Sequence, residues 1–136
     1  MIEFGPQLIG QVEKTLGALL ESVLRDSNIS EREWVTLRIA AQNTNGPAGL
    51  SAVVSDRARF ADAEQIIGGL AEKGLLDGDA LTMRGREFLE QTGARISRLT
   101  APIWGGLPTA DVEAATRVLN EVLDRGRVVA SSAESS

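Results

Sequence analysis

Cysteine and histidine are both absent from the 136 residues of this chain. Without cysteine the chain has no disulfide and no thiol nucleophile, and without histidine it lacks the commonest general base at neutral pH. The usual ligands of zinc and of Fe–S clusters are excluded with them. The sequence therefore predicts no metal and no cofactor.

Signatures of common enzyme classes are also missing. The sequence contains neither a Gly-x-Ser-x-Gly nucleophile motif nor a glycine-rich loop of the kind that cradles phosphate. The pair Gly68–Gly69 in "IGGL" is isolated, and close packing within a helix explains it better than phosphate binding. The sequence predicts that the protein is not an enzyme.

Positive charge is scarce. Lysine and arginine total 14 against 19 aspartates and glutamates, and the net charge is −5. This balance argues against a protein that coats nucleic acid, although a local basic patch can still bind DNA. The segment "MIEFGPQLIG" lacks the pattern of a signal peptide, and no apolar run approaches the roughly 20 residues of a membrane span. We therefore expect a cytoplasmic protein without membrane contact.

What the chain does have is apolar residues at helical spacing. Ser30 and Glu33 form a capping-box pattern ahead of the second helix, and "DGD" after Leu76 predicts a minimal hairpin. Gly74 fits a position at the C-terminus of a helix that needs a positive φ, and Thr82 is predicted to cap the long helix after the hairpin. Disorder is predicted for residues 129–136, which are small and polar. The predicted helices run from about Pro6 to Arg25, from Ser30 to the "NTNGPAG" segment, over Leu50–Ser55, from Ala61 or Asp62 to Gly74, from Thr82 to about Thr100, and from Thr109 to about Arg125.

Two motifs flank the predicted hairpin. "GLAEKGLL" is similar to the pattern Leu-Glu-x-x-Gly-Leu, and "LTMRGREFLE" to Leu-Thr-x-x-Gly-x-x-x-Leu. With the order of the helices, they make the chain resemble the MarR-type winged-helix regulators. The resemblance implies a mainly α, winged helix-turn-helix fold with N- and C-terminal dimerisation helices in a single domain over residues 1–128. Its DNA-binding lobe would cover about 30–82, and its dimerisation helices about 5–26 and 83–125.

The resemblance also implies a function. Such proteins are homodimeric transcriptional regulators that bind double-stranded DNA and often leave it when a small aromatic or lipophilic effector binds. Trp34 and Trp104 are the residues expected to line an effector crevice, and plain core packing is the alternative for each.

Candidate DNA contacts surround the predicted recognition helix. Arginines before it and after the hairpin would meet phosphates, Gln65 can pair with adenine, and an acid can accept a hydrogen bond from cytosine. The alternative is that Asp62 only caps the helix and that the arginines are solvated or paired with acids. The candidates are Arg57, Arg59, Asp62, Glu64, Gln65, Arg84 and Arg86.

The predicted wing departs from the family pattern. Only Asp77 to Ala80 connect its strands, two of these four residues are acidic, and the family's wing arginine is missing. From residue 49 to 86, five basic and six acidic residues leave a net charge of −1. These features favour an alternative function, a winged-helix protein-interaction module that antagonises a related regulator and binds DNA weakly or not at all.

Overall fold

The computed structural model describes residues 1–43 and 49–135, and most of them are helical. The loop "NTNGPAG" lies largely outside the described residues. The elements in chain order are α1 (Pro6–Leu24) with a 3-10 turn (Arg25–Ser27), α2 (Glu31–Gln42), α3 (Leu50–Ala58), α4 (Ala63–Glu72), β1 (Leu76–Asp77), β2 (Ala80–Leu81), α5 (Met83–Trp104) and α6 (Thr109–Ser135).

The chain divides into two compact units, Met1–Leu99 and Thr100–Ser136. The first holds α1 to α4, the hairpin and most of α5, and the second holds the end of α5 and α6. The assignment of a single domain with a DNA-binding lobe and dimerisation helices stays a prediction.

The core of the first unit lies where α2, α3 and α4 meet. Leu37, Val54 and Leu70, one from each helix, are all 0% exposed. The ring of Trp34 meets that of Phe88 edge-on, with 6.0 Å between the centroids, and so joins α2 to α5. Burial of these large side chains is the main favourable term for the lobe, at roughly 1.5–3 kcal/mol for each fully buried one.

The predicted capping box is present at the start of α2. The amide of Glu33 donates to Ser30 Oγ at 3.1 Å, and the amide of Ser30 donates to Glu33 Oε1 at 3.0 Å. The two bonds satisfy amides that the first turn of a helix leaves without a partner.

The junction between α4, the hairpin and α5 explains the two motifs. Gly74 has a φ of +78°, as its predicted place after the helix requires. The hydroxyl of Thr82 donates to the carbonyl of Gly74 at 2.7 Å and accepts from the amide of Gly85 at 3.0 Å, so it caps α5 as predicted. Gly85 is buried against the carbonyl of Leu75, which leaves no room for a Cβ atom.

The hairpin is minimal, as predicted. Leu76 pairs with Leu81 and Asp77 with Ala80 in an antiparallel register. Gly78 adopts a φ of +61° at its tip. Leu76 is buried and Leu81 is half-buried, so the hairpin is anchored by one leucine pair beside the core.

Three of the helices, α3, α5 and α6, run further than the sequence analysis expects. α3 continues to Ala58 rather than Ser55, and the chain turns at Arg59, which has a φ of +58°. α5 passes Thr100 and ends at Trp104 with Pro102 in its last turn. Proline has no amide hydrogen to donate there, and the Gly105 amide still donates to the Ala101 carbonyl at 2.9 Å beyond the end of the helix.

The end of α6 is a correction to the sequence analysis. Gly126 does not end the helix, which continues to Ser135, so the predicted disorder is wrong for residues 129–135. The reason is that glycine inside a helix costs only about 1 kcal/mol relative to alanine. Because helix propagation is cooperative, a long helix extends through a single unfavourable residue into the next segment.

We expect Gly85→Ala to destabilise the protein by about 1–3 kcal/mol, because the added methyl group would overlap the Leu75 carbonyl and crowd Leu81 Cδ2 at 3.2 Å. Urea unfolding measures this. Gly93→Ala is the matched control on α5, since its added Cβ would meet no described atom within 4 Å apart from its chain neighbours and the backbone of its own helix. It should stabilise the protein by about 0.5–1 kcal/mol. Equal effects of the two substitutions would contradict the close approach at Gly85.

Candidate nucleic-acid interface

α3 and α4 form a helix-turn-helix pair. Arg59 reverses the chain after α3, and α4 begins after Asp62. α4 buries Ala63 and Leu70, which are 2% and 0% exposed, against α2 and α3. The same helical period leaves Glu64 and Gln65 exposed in its first turn. The polar end of α4 is therefore the part open to a partner.

A cleft of about 750 Å³ opens at the first turn of α4. Side chains of α2, α3 and α4 contribute to its walls. Four of the predicted DNA contacts meet here, and two serines of α3 and an arginine of α2 join them. These residues are Arg59, Asp62, Glu64, Gln65, Ser51, Ser55 and Arg32.

Asp62 is bonded differently from the prediction. It occupies the N-cap position of α4, but its side chain makes no hydrogen bond to the amides of that helix. Its Oδ1 instead accepts from Nη2 of Arg32, on the first turn of α2. The guanidinium of Arg32 also lies over the ring of Phe60, 4.5 Å from its centroid. The sequence analysis missed Arg32, because its partners lie about thirty residues away along the chain and no local pattern joins them.

Asp79 of the hairpin is likewise used inside the protein. Its Oδ2 accepts a hydrogen bond from the amide of Leu50 at 3.2 Å. Gly49 is the N-cap residue of α3 and has no side chain to offer. The hairpin therefore supplies the side-chain cap that Gly49 cannot supply. The negative charge of Asp79 adds to it, because an anion is favourable at a helix N-terminus.

The four arginines predicted to contact phosphate are all exposed. Arg57 is in the last turn of α3 and Arg59 follows it, while Arg84 and Arg86 are in the first turn of α5. None of them forms an ion pair with another described residue.

The structure does not bring these four arginines together at one cleft. Arg59 lies in the cleft at α4, whereas Arg84 lines a second cleft of about 320 Å³ with Lys73 and Phe88. Arg57 and Arg86 lie outside both.

Lys73, the basic residue at the end of α4, is held by the protein itself. Its Nζ donates to Glu33 Oε1 and Oε2 at 3.0 and 2.8 Å and to the carbonyl of Asn28 at 2.8 Å. Burial alone would raise the pKa of Glu33, but the hydrogen bonds and charge of Lys73, with the hydrogen bonds to Ser30, lower that pKa below its ordinary value. This bond ties α4 to α2.

The pKa of the nearby Glu31 shifts in the opposite direction. Burial first, and then the charges of Glu13 and Glu21 on α1, raise the pKa of its carboxyl above the ordinary value. Like charges disfavour the ionised form, so Glu31 opposes folding at neutral pH whereas Glu33 favours it.

The two tryptophans differ in exposure. Trp34 is 4% exposed and packs in the core, and it also borders a cleft of about 380 Å³. The other walls of this cleft come from α2 and α5 and include Arg38, Leu89 and Ile96. Trp104 belongs to the second unit and is 56% exposed. A crevice shared by both tryptophans stays a prediction.

Within residues 1–43 and 49–135, no group of three or more acidic side chains is placed to hold a metal ion. No helix in this part of the chain combines the length and apolar character that crossing a bilayer requires.

Comparison with known proteins identifies the fold. No protein-family model and no curated protein matches the sequence. Among solved structures, the chain is similar to CouR from Rhodococcus jostii RHA1 bound to p-coumaroyl-CoA, with a TM-score of 0.72, 17% identity, and coverage of 85% of this chain and 88% of CouR. The chain is also similar to a MarR-family transcriptional regulator from Rhodococcus sp. RHA1, with a TM-score of 0.69 and 19% identity. This match covers 85% of this chain and 89% of the regulator. The chain has the MarR-type winged-helix fold.

A variant of MepR from S. aureus, solved bound to an oligodeoxyribonucleotide, gives a TM-score of 0.55 at 14% identity, with 90% of this chain and 99% of MepR covered. The winged-helix fold predicted from the motifs is therefore confirmed. Within this fold α3 and α4 are the helix-turn-helix, α4 takes the place of the recognition helix, and the β1–β2 hairpin is the wing.

We expect Glu33→Gln to lower the free energy of unfolding at pH 7. As the pH falls, the free energy of unfolding of this variant should also decrease less than that of wild type. A depressed pKa contributes stability above the unfolded value of about 4.5, and this contribution is lost as the pH falls through the lower folded value. Urea unfolding between pH 7 and pH 3 measures it.

Glu31→Gln is the control with the opposite sign. Its raised pKa means that the charged carboxyl destabilises the fold above the raised folded value, and that this penalty disappears as the pH falls through it. The variant should therefore be more stable than wild type at pH 7. A Glu33→Gln protein with wild-type stability at both ends of the pH range would contradict the role given to the Lys73 bond.

Proposed function

We propose that the protein is a DNA-binding transcriptional regulator that acts as a homodimer on a pseudo-palindromic operator. The observation that carries the proposal is the distribution of charge around α4. Asp62 and Asp79 are bonded inside the protein, while Arg57 and Arg59 are exposed without an ion-pair partner among the described residues. Two of the acidic side chains that the sequence places near α4 are thus already bonded inside the protein.

Each candidate residue has a chemical role in this proposal. Arg57 and Arg59 would bind phosphates beside the N-terminus of α4, whose amides also favour an anion. Gln65 would pair with adenine, and Glu64 would accept a hydrogen bond from cytosine N4. Arg84 and Arg86 would add backbone contacts from the start of α5. That MepR was solved with an oligodeoxyribonucleotide supports this use of the fold.

Dimerisation is supported by apolar surface on α6. Val112, Leu119, Val122 and Leu123 recur at helical spacing and are 40–55% exposed. On α1, Ile9 and Val12 are 38% and 48% exposed. Exposed apolar stripes of this kind mark contact surfaces. We propose that they pack across a two-fold axis, which would also match a two-fold DNA site.

A small effector completes the proposal. The cleft beside Trp34 has one aromatic and two aliphatic walls with Arg38 at its edge, which suits an aromatic or lipophilic ligand that carries negative charge. CouR was solved bound to p-coumaroyl-CoA, a ligand of this character. Such a ligand would bind between α2 and α5 and shift α2, which carries Arg32 of the cleft at α4.

A second candidate function has one observation in its favour. The wing has no basic residue, and Asp79 turns inward to α3, so the wing offers no cation to a minor groove. A protein-interaction module would keep this fold and antagonise a related regulator without strong DNA binding. The salt dependence of DNA binding separates the two functions, because a DNA binder releases counterions and loses affinity steeply with salt.

We expect Arg57→Ala combined with Arg59→Ala to weaken binding equally on all duplex sequences and to flatten the salt slope by up to about two units, one for each lost phosphate contact. Fluorescence anisotropy on a random-sequence duplex across a salt series measures both. Arg95→Ala combined with Arg98→Ala is the control, since it removes the same charge from exposed sites on α5. A wild-type protein with no salt-dependent DNA binding would favour the interaction module.

We also expect light scattering to give twice the 14.5 kDa mass of one chain. Leu119→Glu combined with Val122→Glu should shift the protein to monomer, because two carboxylates would lose their water in the interface. Arg117→Glu is the control, as it lies two positions from Leu119 and so on the other side of α6. A wild-type mass of one chain would defeat the dimer.

A further inference from the structure

Arg32 is the most constrained of the exposed arginines near α4. It lies on the first turn of α2 and its side chain is 51% exposed. Phe60 supports the face of its guanidinium at 4.5 Å, and Asp62 accepts from one end of it. A guanidinium carries five N–H donors, and one of them meets Asp62. The remaining edge of the group is available on the cleft that Arg32 shares with Arg59.

This arrangement holds a cation on the cleft at the first turn of α4. Arg32 and Arg59 line one cleft with Ser51 and Ser55, whose hydroxyls can donate hydrogen bonds. An arginine held by stacking and a carboxylate loses little freedom when it binds a phosphate, since its plane is already set. The same carboxylate offsets part of its charge, so the pair sets both the position and the strength of the cation.

We propose that Arg32 is a DNA-backbone contact of this protein, and that Asp62 is the residue that positions it and moderates its affinity for phosphate. The inference rests on the proposed DNA-binding function and deepens it. Asp62, at the N-terminus of α4, then acts through Arg32 rather than on a base. The acidic start of the recognition helix is thereby a device that limits non-specific affinity.

The test is a double-mutant cycle on binding to a random-sequence duplex. Arg32→Gln should reduce affinity on the order of five-fold at physiological salt and flatten the salt slope by about one unit, as loss of one phosphate contact predicts. Asp62→Asn should raise affinity, and this gain should shrink when Arg32 is already glutamine. An equal gain in both backgrounds would overturn the coupling, since Asp62 would then only repel phosphate.

Arg95→Gln is the control. Arg95 is an exposed arginine of α5 that lines none of the clefts described above. It removes the same charge and should leave the slope within a few tenths of wild type. Equal losses for Arg32→Gln and Arg95→Gln would overturn the proposal, because net charge alone would explain them.

Arg32→Lys separates charge from geometry. It should keep the salt slope, because it keeps the charge, and lose part of the affinity, because an ammonium group lacks the planar fork. If the combined Arg57 and Arg59 variant loses affinity for DNA while Arg32→Gln does not, the proposed DNA-binding function is supported and the proposed role of Arg32 is wrong. If the wild-type protein shows no salt-dependent binding to DNA, both the proposed function and the proposed role of Arg32 are wrong. Thermal melting of each variant shows whether the fold is intact.

Discussion

The missing side chain at Gly85 is the constraint on which the winged-helix part of the fold depends. Because the start of α5 packs against the carbonyl of Leu75, no Cβ fits between them. Thr82 completes the joint with bonds to Gly74 and Gly85. These contacts fix α5, which follows the wing, to the turn at Gly74 and Leu75, which precedes the wing. This closeness accompanies a wing whose strands are linked by only two residues, Gly78 and Asp79, and it sets where α4 stands relative to α5.

Around that joint several charged side chains of the first unit are bonded within it. Lys73 holds Glu33 and the carbonyl of Asn28, Asp79 caps α3, and Asp62 holds Arg32. Each bond links two elements that are distant in sequence, so the same groups that brace the lobe also decide which charges remain for a partner. A count of charged residues along the chain treats all of them as equally available, although Asp62 and Asp79 are already bonded inside the protein.

The fold was predictable because its signals are local. A capping box, a glycine with positive φ and a threonine cap act within a few residues, and they stand where the sequence analysis expects them at Ser30, Gly74 and Thr82. The ends of α3, α5 and α6 were less predictable. Proline and glycine weaken a helix by amounts that a long helix can absorb, so neither Pro102 nor Gly126 marks an end.

The sequence by itself determined the order of the helices and the place of the hairpin, because hydrophobic period and capping are properties of consecutive residues. Only the tertiary structure decided which charges meet. Arg32 and Asp62 are about thirty positions apart, and Leu50 and Asp79 nearly as far, and no periodic pattern connects either pair. Such contacts exist only after the helices have packed, since packing brings together side chains that the chain itself keeps apart.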